Sequence, residues 1–294
     1  STDTSGVESF DTDGFTTNNG GYTNGSGVNF VSWNWKAGTT GSGTTTGSGT
    51  GKAYSYSVNT TAGFSIVKYL GNGSAGHTIP HHLGSVPKMI IVKRLDTGGS
   101  SFLVYHNSIG AEKYLILDTT AAQGDSTVWN DVSPTSSVFS VGTQGDCNNS
   151  SGTYIAYCFA EKTGYSKFGS YTGNGNNDGT FVYTGFKPTF VLTKIYSATD
   201  GWSLTDSVRD RAVAPNGARL LGEQEQVEQT NVDGAHPPMP GRSGMRRVSW
   251  GMNPGLRPGG FVWAKVGCYR NVSASRSQNQ AHLRHLQVLD RFAC

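Results

Sequence analysis

The chain repeats itself, and an internal repeat constrains the fold more than any single motif does. One segment reads Phe64-Ser-Ile-Val-Lys-Tyr69-Leu-Gly71-Asn72-Gly73, followed by Leu83-Gly84-Ser-Val-Pro87-Lys-Met-Ile-Ile-Val-Lys93. A later one reads Phe168-Gly-Ser-Tyr171-Thr-Gly173-Asn174-Gly175, followed by Thr184-Gly185-Phe-Lys-Pro188-Thr-Phe-Val-Leu-Thr-Lys194. Tyr-x-Gly-Asn-Gly matches, as does Gly-x-x-Pro before an apolar run ending in Lys, and Phe102 and Trp202 then fall at equivalent places. The period, about 100 residues, is the usual size of one β-sandwich domain.

A second comparison extends the pattern. Phe15 corresponds to Phe139, and Phe30-Val31-Ser32-Trp33-Asn34-Trp35 corresponds to Tyr154-Ile155-Ala156-Tyr157-Cys158-Phe159. Side chains alternate across a strand. Val31, Trp33 and Trp35 thus share a face, as do Ile155, Tyr157 and Phe159, and this bulky face is expected to point into a sandwich core. The offsets of the two comparisons differ because of an insertion. Residues 38–51 contain only Gly, Ser and Thr, which reads as a flexible linker with nothing to bury.

The expected organisation is therefore all-β: tandem antiparallel β-sandwich (jelly-roll-like) repeats. Residues 1–37 form the last part of one repeat, 38–60 a linker, 61–162 a complete repeat and 163–234 the start of another. Strands are predicted near 64–70, 77–80, 88–95, 102–106, 113–117, 137–141 and 153–160. Asn72-Gly73 and Thr97-Gly98-Gly99 are turn signals. Met89 to Val92 is continuously apolar, as in a strand buried on both faces.

Composition agrees. There are 41 glycines, 11% of residues are aromatic and only 15% are charged, the mark of short strands and tight turns, not of helix surfaces or a disordered polyelectrolyte. A net charge of +3 gives no reason to expect nucleic acid as a partner. No apolar run reaches the ~18 residues of a membrane span, so no membrane insertion is expected. Cys147, Cys158, Cys268 and Cys294 lack metal or disulfide-framework spacing and read as free thiols.

The last segment differs. Residues 1–208 hold one arginine, Arg94, and residues 209–294 hold eleven. Up to about Asp233 the repeat style persists. Residues 235–294 read either as a divergent basic domain or as the product of a reading-frame change, with Phe261-Val-Trp-Ala264 as a decayed closing strand and 281–292 at helical spacing.

The residues offer little chemistry. His77, His81 and His82 form a cluster without HExxH spacing or an adjacent acid, and exposed histidines on a strand or turn are expected. The pairs Asp11/Asp13, Asp125/Asp131 and Asp200/Asp206 form no calcium loop and read as turn-capping residues. Gly71-Asn72-Gly73 precedes no helix and reads as a hairpin turn, not a phosphate loop. Trp129-Asn130-Asp131 and Trp202 are the best candidates for stacking on a sugar, although burial suits them better. No catalytic residue, metal site or cofactor is expected, and no receptor-binding residue is singled out.

The wording of the repeat is specific. Gly63-Phe-Ser-Ile-Val-Lys-Tyr-Leu-Gly-Asn-Gly73, His82-Leu-Gly-Ser-Val-Pro-Lys-Met-Ile-Ile-Val-Lys-Arg94, Trp129-Asn-Asp-Val-Ser-Pro-Thr-Ser-Ser-Val-Phe139 and Tyr154-Ile-Ala-Tyr-Cys-Phe-Ala-Glu161 resemble a repeat family of marine bacteriophages. That family occurs in long tail-fibre and virion structural proteins and has no assigned function. The resemblance covers about residues 5–233. It implies a non-enzymatic virion component, outside the cell. It also implies other virion proteins and a host cell-surface glycan or outer-membrane receptor as partners, and assembly as a homo-oligomer, a trimer in most fibres. The competing expectation is an array of carbohydrate-binding sandwiches from a secreted protein.

Overall fold

Runs of aromatic and β-branched residues produce the strands, and antiparallel pairing joins every strand among the described residues. The computed structural model describes residues 6–18, 21–28, 30, 32–176, 178–207, 220–221 and 260–265, the last two stretches as backbone. Val31, the arginine-rich segment apart from 220–221 and 260–265, the 281–292 helix, Cys268 and Cys294 lie outside the described residues. The strands are β1 (Val7–Phe10), β2 (Phe15–Thr17), β3 (Thr39–Thr44), β4 (Thr46–Gly47), β5 (Ala53–Asn59), β6 (Phe64–Leu70), β7 (His77–Pro80), β8 (Pro87–Arg94) and β9 (Leu103–His106). They continue as β10 (Lys113–Ile116), β11 (Gly124–Asp125), β12 (Val138–Val141), β13 (Thr153–Ala160), β14 (Ser166–Tyr171), β15 (Phe190–Lys194), β16 (Trp202–Asp206), β17 (Leu220–Leu221) and β18 (Gly260–Lys265). Among the described residues, helix is confined to single turns: α1 (Gly21–Asn24), α2 (Gly145–Asn148) and a 3-10 turn at Thr127–Trp129.

Three antiparallel sheets carry the fold. The largest has eight strands in the order β11-β10-β9-β8-β13-β6-β5-β3. A three-stranded sheet, β12-β7-β4, accompanies it, and a five-stranded sheet follows in the order β14-β18-β15-β16-β17. β1 and β2 form a separate hairpin. The predicted strands of 61–162 coincide with β6 to β10, β12 and β13.

The eight-stranded sheet is buried on both faces because its central strands are apolar on both. On one face Val67, Tyr69, Ile90, Val92, Tyr154, Ala156 and Cys158 pack against Ile79, Phe139 and Val141 of the three-stranded sheet and against Trp129. On the other, Phe64, Met89, Val104, Leu115 and Phe159 pack against Phe168, Phe190 and Trp202 of the five-stranded sheet, with Trp33 and Trp35 between. Met89 and Ile91 face one core and Ile90 and Val92 the other, as the continuous apolar run implied.

Polar ties close the junction between the two large sheets. The Trp202 Nε1–H donates to the Ile116 carbonyl at 2.9 Å. Lys194, only 1% exposed, donates from Nζ to the Thr120 carbonyl at 3.0 Å and also to that of Asp200. The Gln123 N–H donates to Tyr196 O at 2.9 Å. A buried ammonium is tolerable only with such acceptors around it.

Four expectations need correction. Residues 38–60 are not a linker: β3 pairs with β5 along six residues, and β5 with β6. The glycines that suggested flexibility are where the Tyr56 and Tyr54 rings lie across β3. A Cβ on Gly41 would stand 2.6 Å from the Tyr56 hydroxyl oxygen, and one on Gly43 2.9 Å from that of Tyr54.

The closing strand β13 meets a core on both faces, not on its bulky face alone. The smaller face, Tyr154, Ala156 and Cys158, lines the sandwich at 0% exposure, because Tyr69, Tyr105, Trp129 and Phe139 from neighbouring elements already fill that space. The bulky face, with Tyr157 and Phe159, turns to the next sheet.

Asn72-Gly73 is not a hairpin turn, since β6 and β7 lie in different sheets; it is the arch between them. Finally, residues 32–37 are not a strand. β13 is flanked by β6 and β8, and no described residue before 30 provides counterparts to those two.

Candidate functional site

The histidine cluster is the first place to look for chemistry, and here the expected exposure is wrong. His77 and His81 are fully buried. The His77 Nδ1–H donates to Asn148 Oδ1 at 3.0 Å, and Nε2 accepts from the Thr45 hydroxyl at 2.6 Å. Asn148 in turn donates to the carbonyls of Ser74 and Gly142 and accepts from the Asn72 N–H. Every polar atom of this small network has a partner, so it fastens the β6–β7 arch and β4 to α2. His81 donates from Nε2 to Thr135 O at 3.1 Å and accepts the Leu83 N–H at Nδ1. Desolvation lowers the basicity of His77 and pushes His81 down to about 4. Both are neutral framework residues whose ring nitrogens are already engaged.

His82 differs. It is a non-glycine residue at φ 59°, a backbone region that costs an ordinary side chain energy. That conformation lays its ring on Tyr56, centroids 3.6 Å apart and planes within 13°, and brings Nε2 to 3.0 Å from the Tyr54 hydroxyl. Tyr56 is thus held between Gly41 of β3 and the His82 ring, as part of a packed stack.

Trp129 and Trp202 are 1% and 3% exposed. Neither ring is free to meet a sugar; each is a core residue. The aspartates are dispersed among local roles. Asp11 accepts hydroxyl bonds from Ser9 and Thr16, Asp125 pairs with Lys113 and Asp200 accepts the Gly201 N–H. Cys147 and Cys158 are free and buried; burial raises the thiol of Cys147 to about 12 and that of Cys158 further. Among the described residues no three His, Cys, Asp or Glu side chains gather where they could hold a metal. No described helix is long and apolar enough to cross a membrane.

What remains is surface, and one surface stands out. In the five-stranded sheet, Phe190, Leu192, Trp202 and Leu204 join the core shared with the eight-stranded sheet. The opposite face carries Tyr171, Val191, Thr193, Ser203 and Thr205, all half-buried and absent from both hydrophobic cores. Next to it in sequence, between β14 and β15, Phe181 and Tyr183 are 86% and 76% exposed. At the other end of the described chain, Phe10 is 88% and Phe15 37% exposed on the β1–β2 hairpin. Large aromatic side chains so exposed mark a contact surface more often than an accident. The sequence did contain a signal for Phe181. Gly179-Thr180-Phe181 follows Gly173-Asn-Gly175 as His77-Thr78-Ile79 follows Gly71-Asn-Gly73, which matches Phe181 with a core residue.

Antiparallel sheets packed on one another through shared apolar cores place the chain in the class of all-β, sheet-stacking proteins. Within that class, the sequence model of a family described as a domain of unknown function (DUF7483) matches residues 1–236, and the chain belongs to that family. No curated protein and no solved structure matches it.

Proposed function

We propose that the chain is a structural and adhesive segment of a bacteriophage virion, in a tail fibre or another host-contacting appendage, built from tandem jelly-roll-like sandwich repeats. The observation that carries this reading is the order of strands. β14-β18-β15-β16-β17 follows the same sequence of connections as β6-β13-β8-β9-β10. The two sheets also meet through corresponding faces, Phe64 and Met89 on one side, Phe168 and Phe190 on the other. Units joined through a shared apolar core, not a hinge, form a stiff series. Stiffness and reach are what an appendage requires, and neither needs a reaction. The resemblance of the repeat to phage fibre proteins supplies the biological setting. In it the chain lies outside the cell, assembles as a trimer with other virion proteins, and displays loops to a cell-surface glycan or outer-membrane receptor. Symmetric copies turn weak loop contacts into avid attachment.

The test combines mass and location. Antibodies against the purified chain are expected to decorate the appendages of the encoding phage in immunogold micrographs, and light scattering is expected to give a trimer. Unlabelled particles, together with a monomer that binds soluble polysaccharide, would replace this reading with that of a secreted carbohydrate-binding array.

A further inference from the structure

We propose that strand β2 of one copy of this chain docks on residues 179–182 of a second copy, in the register Phe15 opposite Phe181, and so covers the open face of the five-stranded sheet. The inference rests on the repeat reading above and goes beyond it by naming the two surfaces that meet.

In the closed sandwich, β12 pairs antiparallel with β7 in the register Phe139↔Ile79, Ser140↔Thr78 and Val141↔His77. Both Phe139 and Ile79 are buried, at 1% and 0%, and together they cover Val67, Ile90, Val92 and Ala156 of the large sheet. Each half of that pair has a counterpart elsewhere in the chain, and both counterparts are exposed.

The counterpart of β7 is Gly179-Thr180-Phe181-Val182, with Phe181 in the place of Ile79. The face it would help to cover has its counterparts in the five-stranded sheet: Tyr171 corresponds to Tyr69, and Val191 and Thr193 to Ile90 and Val92. Ile90 and Val92 are 0% exposed, whereas Val191 and Thr193 are half-buried.

The counterpart of β12 is β2, with Phe15 in the place of Phe139. A feature of the backbone supports this match independently of the side chains. The single-turn helix α1 (Gly21–Asn24) stands at the same spacing beyond Phe15 as α2 (Gly145–Asn148) stands beyond Phe139. Within one chain, β2 is hydrogen-bonded to β1 and not to residues 179–182. Its other edge has no strand partner among the described residues, so it remains able to accept one.

Carrying the register across places Phe15 opposite Phe181, Thr16 opposite Thr180 and Thr17 opposite Gly179. An aromatic pair beside a Thr–Thr pair is a favourable cross-strand combination. It also brings Phe15 towards Tyr171, as Phe139 meets Tyr69 edge-on at 6.3 Å between ring centroids. The strand uses backbone hydrogen bonds for attachment and alternate side chains for fit, the general mode of strand addition. The interface is heterologous. Copies therefore add head to tail, and they form a closed ring, a trimer included, wherever the rotation between them closes.

The test uses full-length chains carrying Phe15→Asp or Phe181→Asp. Both positions are exposed in the single chain, so unchanged circular dichroism and melting should confirm that each variant folds. In sedimentation velocity the unmodified chain is expected to associate and each variant alone to remain monomeric. A one-to-one mixture should form a heterodimer and nothing larger, because one good surface survives on each partner. Loss of association in both variants with recovery in the mixture supports the proposal. It is overturned by a monomeric parent chain, or by variants that associate as the parent does. A labelled peptide spanning residues 134–143, the chain's own β12, separates this failure from that of the repeat reading. If the peptide binds the full chain and the Phe181→Asp substitution abolishes that binding, the open face accepts a β12-type strand and the repeat stands, even when β2 of a second copy does not occupy it. If neither the peptide binds nor the chains associate, both readings fall.

Discussion

The eight-stranded and five-stranded sheets share a strand order, yet among the described residues one is covered on two faces and the other on one. In the first, β7 and β12 cover Ile90 and Val92 and leave both with no exposed surface. In the second, Val191 and Thr193 remain half-buried, and Phe181 projects into solvent at 86% exposure. The difference shows where the energy of a sandwich resides. The large sheet is held by paired backbones in both cases, but only the facing strands convert its second face into core. A pair of matched truncations measures this directly. Phe139→Ala should cost about 3–5 kcal/mol, the usual loss for a buried aromatic, read as a lower midpoint in urea denaturation. Phe181→Ala should change the stability of the isolated chain by no more than about 0.5 kcal/mol. A large loss at Phe181 would mean that this face is covered within a single chain, and the contrast between the sheets would disappear.

Acid should separate the two sheets next. His81 and His106 are buried, and desolvation holds each down to about 4; His77 is lowered as well. The unfolded chain titrates its histidines near 6.5. Below that pH the unfolded state therefore binds protons that the folded state refuses, so stability falls as the pH drops from about 6.5 to about 4. The loss amounts to a few kcal/mol for the set at the lower limit. Residues 163–207 contain no histidine. Hydrogen exchange at about pH 7 and about pH 5, corrected for intrinsic rates, should show β7 and β12 losing protection while β15 and β16 keep theirs. Equal loss in both sheets would place the acid sensitivity elsewhere.

Much of this contrast was legible in sequence, for identifiable reasons. The run Met89-Ile90-Ile91-Val92 announces a two-faced strand because no polar residue breaks it. Phe64-Ser-Ile-Val-Lys-Tyr69 is apolar on both faces, and the segment at Phe168 aligns with it through Tyr-x-Gly-Asn-Gly. Alternation separates the two faces of a strand but does not say which neighbour each will meet. That is why the second buried face of β13 is not legible: Tyr154, Ala156 and Cys158 become core only because Trp129 and Phe139 pack over them. The histidines misled because polarity suggested exposure, while the partners that allow burial, Thr45, Asn148 and Thr135, are remote in sequence. For the candidate surface, the match of Phe181 with Ile79 could be read from spacing. Its exposure could not, since that depends on which strand, if any, packs over it, and no described strand of the chain pairs with residues 179–182.

A smaller effect tests the junction between the sheets. Lys194 donates to the carbonyls of Thr120 and Asp200 from a buried position. Lys194→Met keeps the length and apolar stem but leaves both carbonyls without that donor, which should cost about 1–3 kcal/mol. The corresponding Lys93 donates to Ser100 O and lies over the Phe102 ring at 4.4 Å to its centroid, a part-buried site whose two partners both lie in the β8–β9 connection. Lys93→Met should therefore cost less, and the difference between the two variants isolates what the junction adds.

The smallest expected effect is at the edge that looked like a linker. Gly41→Ala places a methyl where the Tyr56 ring now lies, 2.6 Å from its hydroxyl oxygen. The ring must move, and moving it disturbs the stack with His82, whose strained φ is maintained by that contact. Alanine is otherwise a better strand residue than glycine and restricts the unfolded chain more, so the two effects oppose each other. The net loss should be about 0.5–1 kcal/mol, within the scale of single glycine changes. It should be confined to β3 and β5 in hydrogen exchange, leaving β8, β13 and the five-stranded sheet unaffected. If these residues were a flexible tether instead, the alanine would change neither stability nor exchange anywhere, because an unpaired segment has no ring above it to displace.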